Sequence, residues 1–260
     1  MASHESKRFD QEVCKPFYHH GSENGILLVH GFTGTCAHMR KLADALAQRG
    51  YTVRSINLPG HASTEADMAK ANWQQWLHAV KEACFEMMQE LEAFTVCGLS
   101  MGGVLALLAA QQMKVDACIP ISAPMAVKNR MFPFAGMVSP FIPRIAWKHA
   151  GSRSVQLDRN YDFGYSGFPT AKAADLHYLI QLARKNLFNI TCPILCIQSE
   201  ADQIIWKGSA EEILENVSSE IRQKLWLRDV PHVCTLSSEL PAITNAVDAM
   251  MQRAAKEKNA

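Results

Sequence analysis

Nowhere in these 260 residues do the roughly 18 uninterrupted apolar positions of a bilayer-spanning helix occur. The first twenty residues, MASHESKRFDQEVCKPFYHH, are polar and lack the apolar centre of a secretory signal. Charge of one sign is missing too: 26 Lys and Arg stand against 25 Asp and Glu. No basic stripe tracks a phosphate backbone, so nucleic acid is not an expected partner, and a small neutral substrate fits better. The expectation is a cytoplasmic protein without stable membrane insertion. Internal repeats and low-complexity segments are also absent.

Paired metal-ligand spacings are lacking as well. Cys192 and Cys196 are separated by three residues within a strand-like run, and no second Cys/His pair follows, so no metal and no cofactor is expected. The eight cysteines read as reduced thiols rather than a disulfide framework. Cys84, Cys97, Cys118 and Cys196 lie in apolar runs, where free cysteine acts as a small hydrophobe.

With 48% hydrophobic and 20% charged residues, the chain can fill the core of one soluble domain. Its patterning alternates. Ile26-Leu27-Leu28-Val29 reads as a strand buried on both faces, followed by a helix with Leu42, Ala45 and Leu46 that Gly50 stops. A strand at 51–57 ends in Leu58-Pro59-Gly60-His61, and Asn72 caps a long helix carrying Trp73, Trp76, Leu77, Val80, Phe85, Met88 and Leu91, whose aromatics read as core. A strand at 94–99, a helix at 102–113 and a strand at 115–121 follow. The rhythm breaks between about 124 and 189, where Pro, Met and aromatic residues crowd together, and we read this stretch as a cap insertion within one 1–260 domain. It resumes with strands at 193–198 and 224–228 and helices at 209–216 and 240–254. The fold class is α/β: a mostly parallel sheet with helices on both faces.

Gly98-Leu99-Ser100-Met101-Gly102 falls where an apolar strand meets a helix, the context a nucleophile elbow requires. A serine hydroxyl needs a base, and the base needs a group that fixes its tautomer. His232 follows the last strand and precedes the last helix, and the other nine histidines fit the role less well: His4, His19 and His20 precede the core strands, His38, His78 and His177 lie in helical patterns, and His149 is in the insertion. Asp202, in the loop after 193–198, completes the order Ser, acid, His. Glu200 is its nearest rival; Asp229 is too close in sequence to His232. The oxyanion formed during acyl transfer needs donors. The N–H of Met101 is one candidate, and the N–H of Phe32, in His30-Gly31-Phe32-Thr33-Gly34, is the other.

These segments resemble the bacterial carboxylesterase and monoacylglycerol lipase branch of the α/β-hydrolases: His-Gly-Phe-Thr-Gly at 30–34, Leu-Pro-Gly-His at 58–61, Gly-Leu-Ser-Met-Gly-Gly at 98–103, Asp202 after its strand, and His-Val-Cys-Thr-Leu at 232–236. The resemblance runs from about Pro16 to the C-terminal helix. It implies a small cap over the site and Phe32 with Met101 as the oxyanion-hole pair. The cap is where this chain diverges, and no alcohol-selecting residue is carried over.

Met125, Met131, Phe132, Phe134, Met137, Phe141, Ile142, Trp147, Phe163 and Phe168 give the insertion an apolar, adaptable surface suited to an acyl chain. The expected activity is a serine carboxylic-ester hydrolase acting on uncharged aliphatic esters or monoacylglycerols through an acyl-enzyme. The alternatives are thioester hydrolysis, acyl transfer or peptide cleavage on the same triad, and a non-catalytic binding protein. The same apolar residues could equally form a homodimer contact.

Overall fold

A strand that is apolar on both faces must be covered on both faces, and this chain does so by alternating strands with helices. The computed structural model describes residues 8–147 and 157–258. Its first half runs β1 (Phe17–His19), β2 (Asn24–Val29), α1 (Ala37–Ala47), β3 (Thr52–Ile56), α2 (Glu65–Lys70), α3 (Trp73–Glu90), β4 (Ala93–Leu99), α4 (Met101–Gln112) and β5 (Ala117–Ile121). The second half adds α5 (Ala135–Val138), β6 (Arg144–Ala146), β7 (Gly167–Pro169), α6 (Thr170–Lys185), β8 (Ile194–Ser199), α7 (Ser209–Asn216), β9 (Arg222–Leu227) and α8 (Leu240–Lys258).

Seven strands form one sheet in the order β1-β3-β2-β4-β5-β8-β9. All neighbours are parallel except β1, which runs antiparallel to β3. In β2 the side chains alternate between two cores. Ile26 and Leu28 join the layer of Met39, Leu42 and Leu46 from α1 and Val247 and Met250 from α8. Leu27 and Val29 join Trp76, Val80 and Leu105 in the other layer. The continuous apolar run is thus the signature of a two-sided strand. The three-residue β1 and the six-residue α2 were not legible from patterning, since neither is long enough for a period to repeat clearly.

Helix α4 lies deepest. Ten of its twelve residues are buried, and it packs between the sheet, α3 and α6. A helix apolar all round has no solvent face to keep, and truncating Leu105 or Leu107 to Ala costs about 2–5 kcal/mol. Helix α3 starts as its sequence indicates. Asn72 Oδ1 accepts the Gln75 N–H and Gln75 Oε1 accepts the Asn72 N–H, a complete capping box. One expectation on α3 is corrected: Phe85 is 60% exposed, because it lies off the stripe formed by Trp76, Leu77, Val80, Ala83, Cys84 and Met87.

All eight cysteines are free thiols, seven buried and Cys192 half-buried. Burial raises every one of them, Cys36, Cys84, Cys192 and Cys234 to about 12. No helix among the described residues is long and apolar enough to cross a membrane.

Between β5 and β8 the chain leaves the sheet. Residues 126–128 run beside 204–206 in a short antiparallel bridge, with the Lys128 N–H donating to Ile204 O and the Trp206 N–H to Ala126 O. Strands β6 and β7 form a separate two-stranded antiparallel sheet. Helix α6 returns the chain to the body, burying Ala173, Leu176, Leu179, Ile180 and Ala183 in the core shared with α4.

Candidate active site

Strand β4 delivers Ser100 to the carboxyl edge of the sheet, and α4 begins at the next residue. Between them Ser100 takes φ 55° and ψ −117°, a backbone state that costs of order 1–3 kcal/mol for a residue with a side chain. The Ser100 N–H donates to Ile121 O at 2.8 Å and Ser100 O accepts from the Val104 N–H at 3.1 Å, so both neighbouring elements hold the strained residue. The turn closes only because its flanks are glycine. A Cβ on Gly98 would lie 2.1 Å from Gly102 O, and one on Gly102 would lie 2.2 Å from Val29 O.

The structure brings Ser100, His232 and Asp202 into one hydrogen-bonded chain. Ser100 Oγ is 2.8 Å from His232 Nε2, and His232 Nδ1 is 2.6 Å from Asp202 Oδ2. An ionised carboxylate only accepts, so Nδ1 carries the proton and donates to Asp202, and Nε2 accepts from the serine hydroxyl. Asp202 is 1% exposed, whereas the His232 side chain is 16% exposed. Burial alone would push the Asp202 carboxyl up. The charge and hydrogen bond of His232 and the Ile204 and Ile205 N–H groups outweigh it, and the carboxyl is held below its ordinary value. Glu200 and Asp229 are both exposed, and the Glu200 N–H donates to Leu227 O.

The two loops are joined beneath the pair. Ser199, the last residue of β8, donates its hydroxyl to Val230 O at 2.5 Å and accepts the Ala201 N–H at 3.1 Å. The following turn, Cys234–Leu236, is tied to α1 by the Thr235 hydroxyl on His38 O at 2.6 Å. Lys128 donates its ammonium to Asp202 O.

The loop after β2 touches Ser100. A Cβ on Gly31 would lie 3.2 Å from Ser100 Cβ, and the Gly34 N–H donates to Gly31 O to close the turn that carries Phe32. Met101 opens α4, where a helical N–H has no carbonyl one turn back to satisfy it. His30 fixes the loop from below: its Nδ1–H donates to Gly31 O at 2.8 Å and its Nε2 accepts the Leu58 N–H at 3.0 Å. Both nitrogens are used in the neutral form, and complete burial with His61 nearby holds His30 well below its ordinary value.

His61 donates from Nδ1 to Pro59 O and stacks near Tyr165, with Trp76 edge-on. Burial lowers it to about 4. Tyr165 reaches this corner from the segment between β5 and β8, donating its N–H to Thr33 O at 3.0 Å and its hydroxyl to Gly60 O at 2.8 Å. Trp147 donates its ring N–H to Thr33 Oγ1, and Phe168 packs 5.2 Å from the Phe32 ring.

Sequence reasoning gave no role to His30, His61, Tyr165 or Lys128. The two histidines adjoin glycine-bearing motifs that could have flagged them; Tyr165 and Lys128 carry no local signal. Of the remaining histidines, His19 lies in β1, His38 is buried in α1 beside Asp162 at 3.4 Å, His78 faces solvent beside Glu82, and His177 meets Phe132. His4 and His149 lie outside the described residues.

Comparison with known proteins bears on the same segments. A family model described as serine aminopeptidase, S33, matches residues 22–235. A thermostable monoacylglycerol lipase of Bacillus sp. (strain H-257) is 35% identical over 232 residues, covering 88% of this chain and 91% of that protein. A carboxylesterase of Bacillus subtilis (strain 168) is 29% identical, covering 92% and 96%. A solved structure from work on the metagenome-derived lipolytic enzymes LipS and LipT superposes with a TM-score of 0.86 at 27% identity, over 93% of this chain and 98% of that one. A monoacylglycerol lipase from Paleococcus ferrophilus, with a TM-score of 0.76 at 14% identity over 91% and 98%, shares the fold. Since the family match runs from just before β2 through the loop that carries His232, the chain belongs to this serine aminopeptidase family within the α/β-hydrolases.

Proposed function

We propose that the chain hydrolyses carboxylic esters, uncharged aliphatic esters and monoacylglycerols among them, with Ser100 as nucleophile, His232 as general base and Asp202 as its orienting acid. The observation that carries this reading is the Ser100–His232–Asp202 chain, at 2.8 Å and 2.6 Å, built on a strained residue at the head of a buried helix. Ser100 Oγ attacks the ester carbonyl as His232 takes its proton, and His232 returns that proton to the departing alkoxide. Water then repeats the sequence on the acyl-enzyme while Asp202 stays ionised and balances the imidazolium. The N–H groups of Phe32 and Met101 receive the oxyanion; loss of one oxyanion-hole donor costs on the order of 10²–10³-fold in kcat.

The insertion at about 124–189 acts in this reading as the cap. Phe168 and Trp147 meet Phe32 and its loop, and they make the wall beside the oxyanion donors apolar. Such a wall favours an acyl chain over a charged group. The names of the two Bacillus relatives point the same way. The reaction needs no cofactor, and the cytoplasm is the compartment we assign.

The family's description favours a second reading, cleavage of an N-terminal amino acid from a peptide. One assay series separates them: p-nitrophenyl esters of increasing acyl length and 1-monoacylglycerols against aminoacyl p-nitroanilides, with wild type and Ser100→Ala. Ester turnover by wild type alone supports the esterase. Faster anilide than ester turnover assigns the triad to peptides, and full activity in Ser100→Ala overturns both.

A further inference from the structure

Among the described residues, four that are not glycine take a positive φ: Thr33, Ala62, Ser100 and Ser122. They follow β2, β3, β4 and β5 in turn, so the strain gathers at the carboxyl edge of the sheet. Thr33, at φ +63°, is the least expected of them. The Gly34 N–H donates to Gly31 O, which makes Thr33 the third residue of a four-residue turn. Where φ is positive, that place ordinarily takes glycine or asparagine. A β-branched side chain is strained there, and only surrounding contacts can hold it.

Those contacts come from the segment between β5 and β8. The Trp147 ring N–H donates to Thr33 Oγ1 at 3.1 Å, an acceptor that glycine would not supply. The Tyr165 N–H donates to Thr33 O at 3.0 Å, and the Thr35 hydroxyl donates to Phe163 O at 3.2 Å. Between them Gly164 lies so close that a Cβ on it would be 3.1 Å from Thr33 O. Trp147 is itself held: its main-chain N–H donates to Ser166 O, and its ring packs 4.8 Å from Phe168, which meets the Phe32 ring at 5.2 Å. Thr33 is buried, so water does not readily replace a lost partner.

We propose, on the reading that makes Phe32 an oxyanion donor, that Trp147 is a positioning residue: through Thr33 it holds the Gly31–Gly34 turn in the shape that aims the Phe32 N–H at the oxyanion. Threonine stands where glycine would be unstrained because its hydroxyl is the handle. The oxyanion donors have to point at a position that is occupied only once the carbonyl carbon becomes tetrahedral. A turn of slightly wrong shape is therefore felt in the transition state and not in the binding of the ester.

Two variants remove the same bond from opposite ends. Trp147→Phe keeps an aromatic ring beside Phe168 but has no N–H, and Thr33→Val keeps the shape but has no oxygen. With a short p-nitrophenyl ester each lowers kcat and kcat/KM together, by about 3–10-fold, and leaves KM in place. The double variant is no slower than either single one, since there is one bond to lose. Thr33→Ser, which keeps the acceptor, recovers kcat to within about 2-fold of wild type. The loop is also read without the chemistry: in full-length Ser100→Ala, Trp147→Phe speeds amide hydrogen exchange at least ~5-fold in the peptide spanning 30–35 and leaves the peptides of the sheet unchanged. Unaltered kcat, losses that multiply in the double variant, or a rise in KM alone overturns the proposal. So does faster exchange throughout the chain, which assigns Trp147 to general stability. Faster exchange in the loop with unaltered kcat separates the clamp from the reaction and overturns it too. If wild type turns over no ester, or Ser100→Ala keeps full turnover, the serine-esterase reading fails and takes the proposal with it, whereas turnover by wild type alone with indifferent variants removes only the role of Trp147.

Discussion

Around Ser100 a single added carbon has nowhere to go, since a Cβ on Gly98 or Gly102 would lie 2.1 or 2.2 Å from backbone. Along 131–142 the chain instead leaves Met131, Phe134, Met137, Phe141 and Ile142 half exposed or more. The first region is fixed by backbone contacts that leave no alternative residue, the second by composition alone. The difference teaches where this chain leaves its backbone no freedom and where it is at liberty to change its surface. Substitutions at the first should be costly and specific, whereas those at the second should be cheap for the fold and felt only by what binds.

The sharpest break of this comparison comes at the acid. Asp202→Asn keeps the size of the side chain but presents the amide in place of the acceptor that holds the His232 Nδ1–H. Loss of the tautomer lowers kcat on the order of 10⁴-fold. Steady-state kinetics on a p-nitrophenyl ester measures this, alongside circular dichroism showing an intact fold.

Gly102→Ala follows. With Val29 O and His30 O at 2.2 and 2.5 Å from the new methyl, β2 must move from α4, and overpacking of this kind costs about 1–3 kcal/mol or more. Urea unfolding reads the loss, and turnover falls with it because the His30–Phe32 loop moves too. Phe141→Ser, its counterpart on the exposed segment, stays within about 0.5 kcal/mol.

The buried imidazole beneath the loop gives a pH test. His61 is held at about 4 in the folded chain by burial. The unfolded chain takes up the proton near the ordinary value and the folded chain does not, so its stabilisation is full above that value and is lost as pH falls towards 4. From pH 7 to pH 5 that loss amounts to about 2 kcal/mol. Urea titrations at the two pH values, compared with His61→Asn, should show a shallower pH dependence in the variant.

A smaller effect sharpens the comparison from inside the rigid half. Ala62 sits at φ +54° directly after His61, where glycine is unstrained, so Ala62→Gly should stabilise by about 0.5–1 kcal/mol in thermal unfolding. An unchanged or lower melting temperature would mean that the loop's strain is already relieved by its contacts with Tyr165.

What was legible in the sequence divides along the same line. The two-sided run of β2, the helix cap at Asn72 and the glycine-flanked Ser100 each carry a local chemical necessity, and each sits where the sequence placed it. Asp202 and His232 were found through chain order, because a loop after a named strand has few places to go. Sheet order was not legible, since no local pattern records which strands are neighbours. The links from Tyr165 to Gly60 and from Lys128 to Asp202 join residues far apart in sequence and use ordinary side chains, so nothing in their own neighbourhoods announces them. Phe85 misled because a helix-wide count of aromatics ignores which face each one takes.

The most direct test of the account is the site of covalent capture. Wild-type protein is treated with a fluorophosphonate or a slowly deacylating p-nitrophenyl ester, digested, and mapped by mass spectrometry. The account predicts one adduct per chain, on Ser100, absent from Ser100→Ala and strongly slowed in Asp202→Asn. An adduct on any other residue, or none from a folded and ester-active protein, would contradict it.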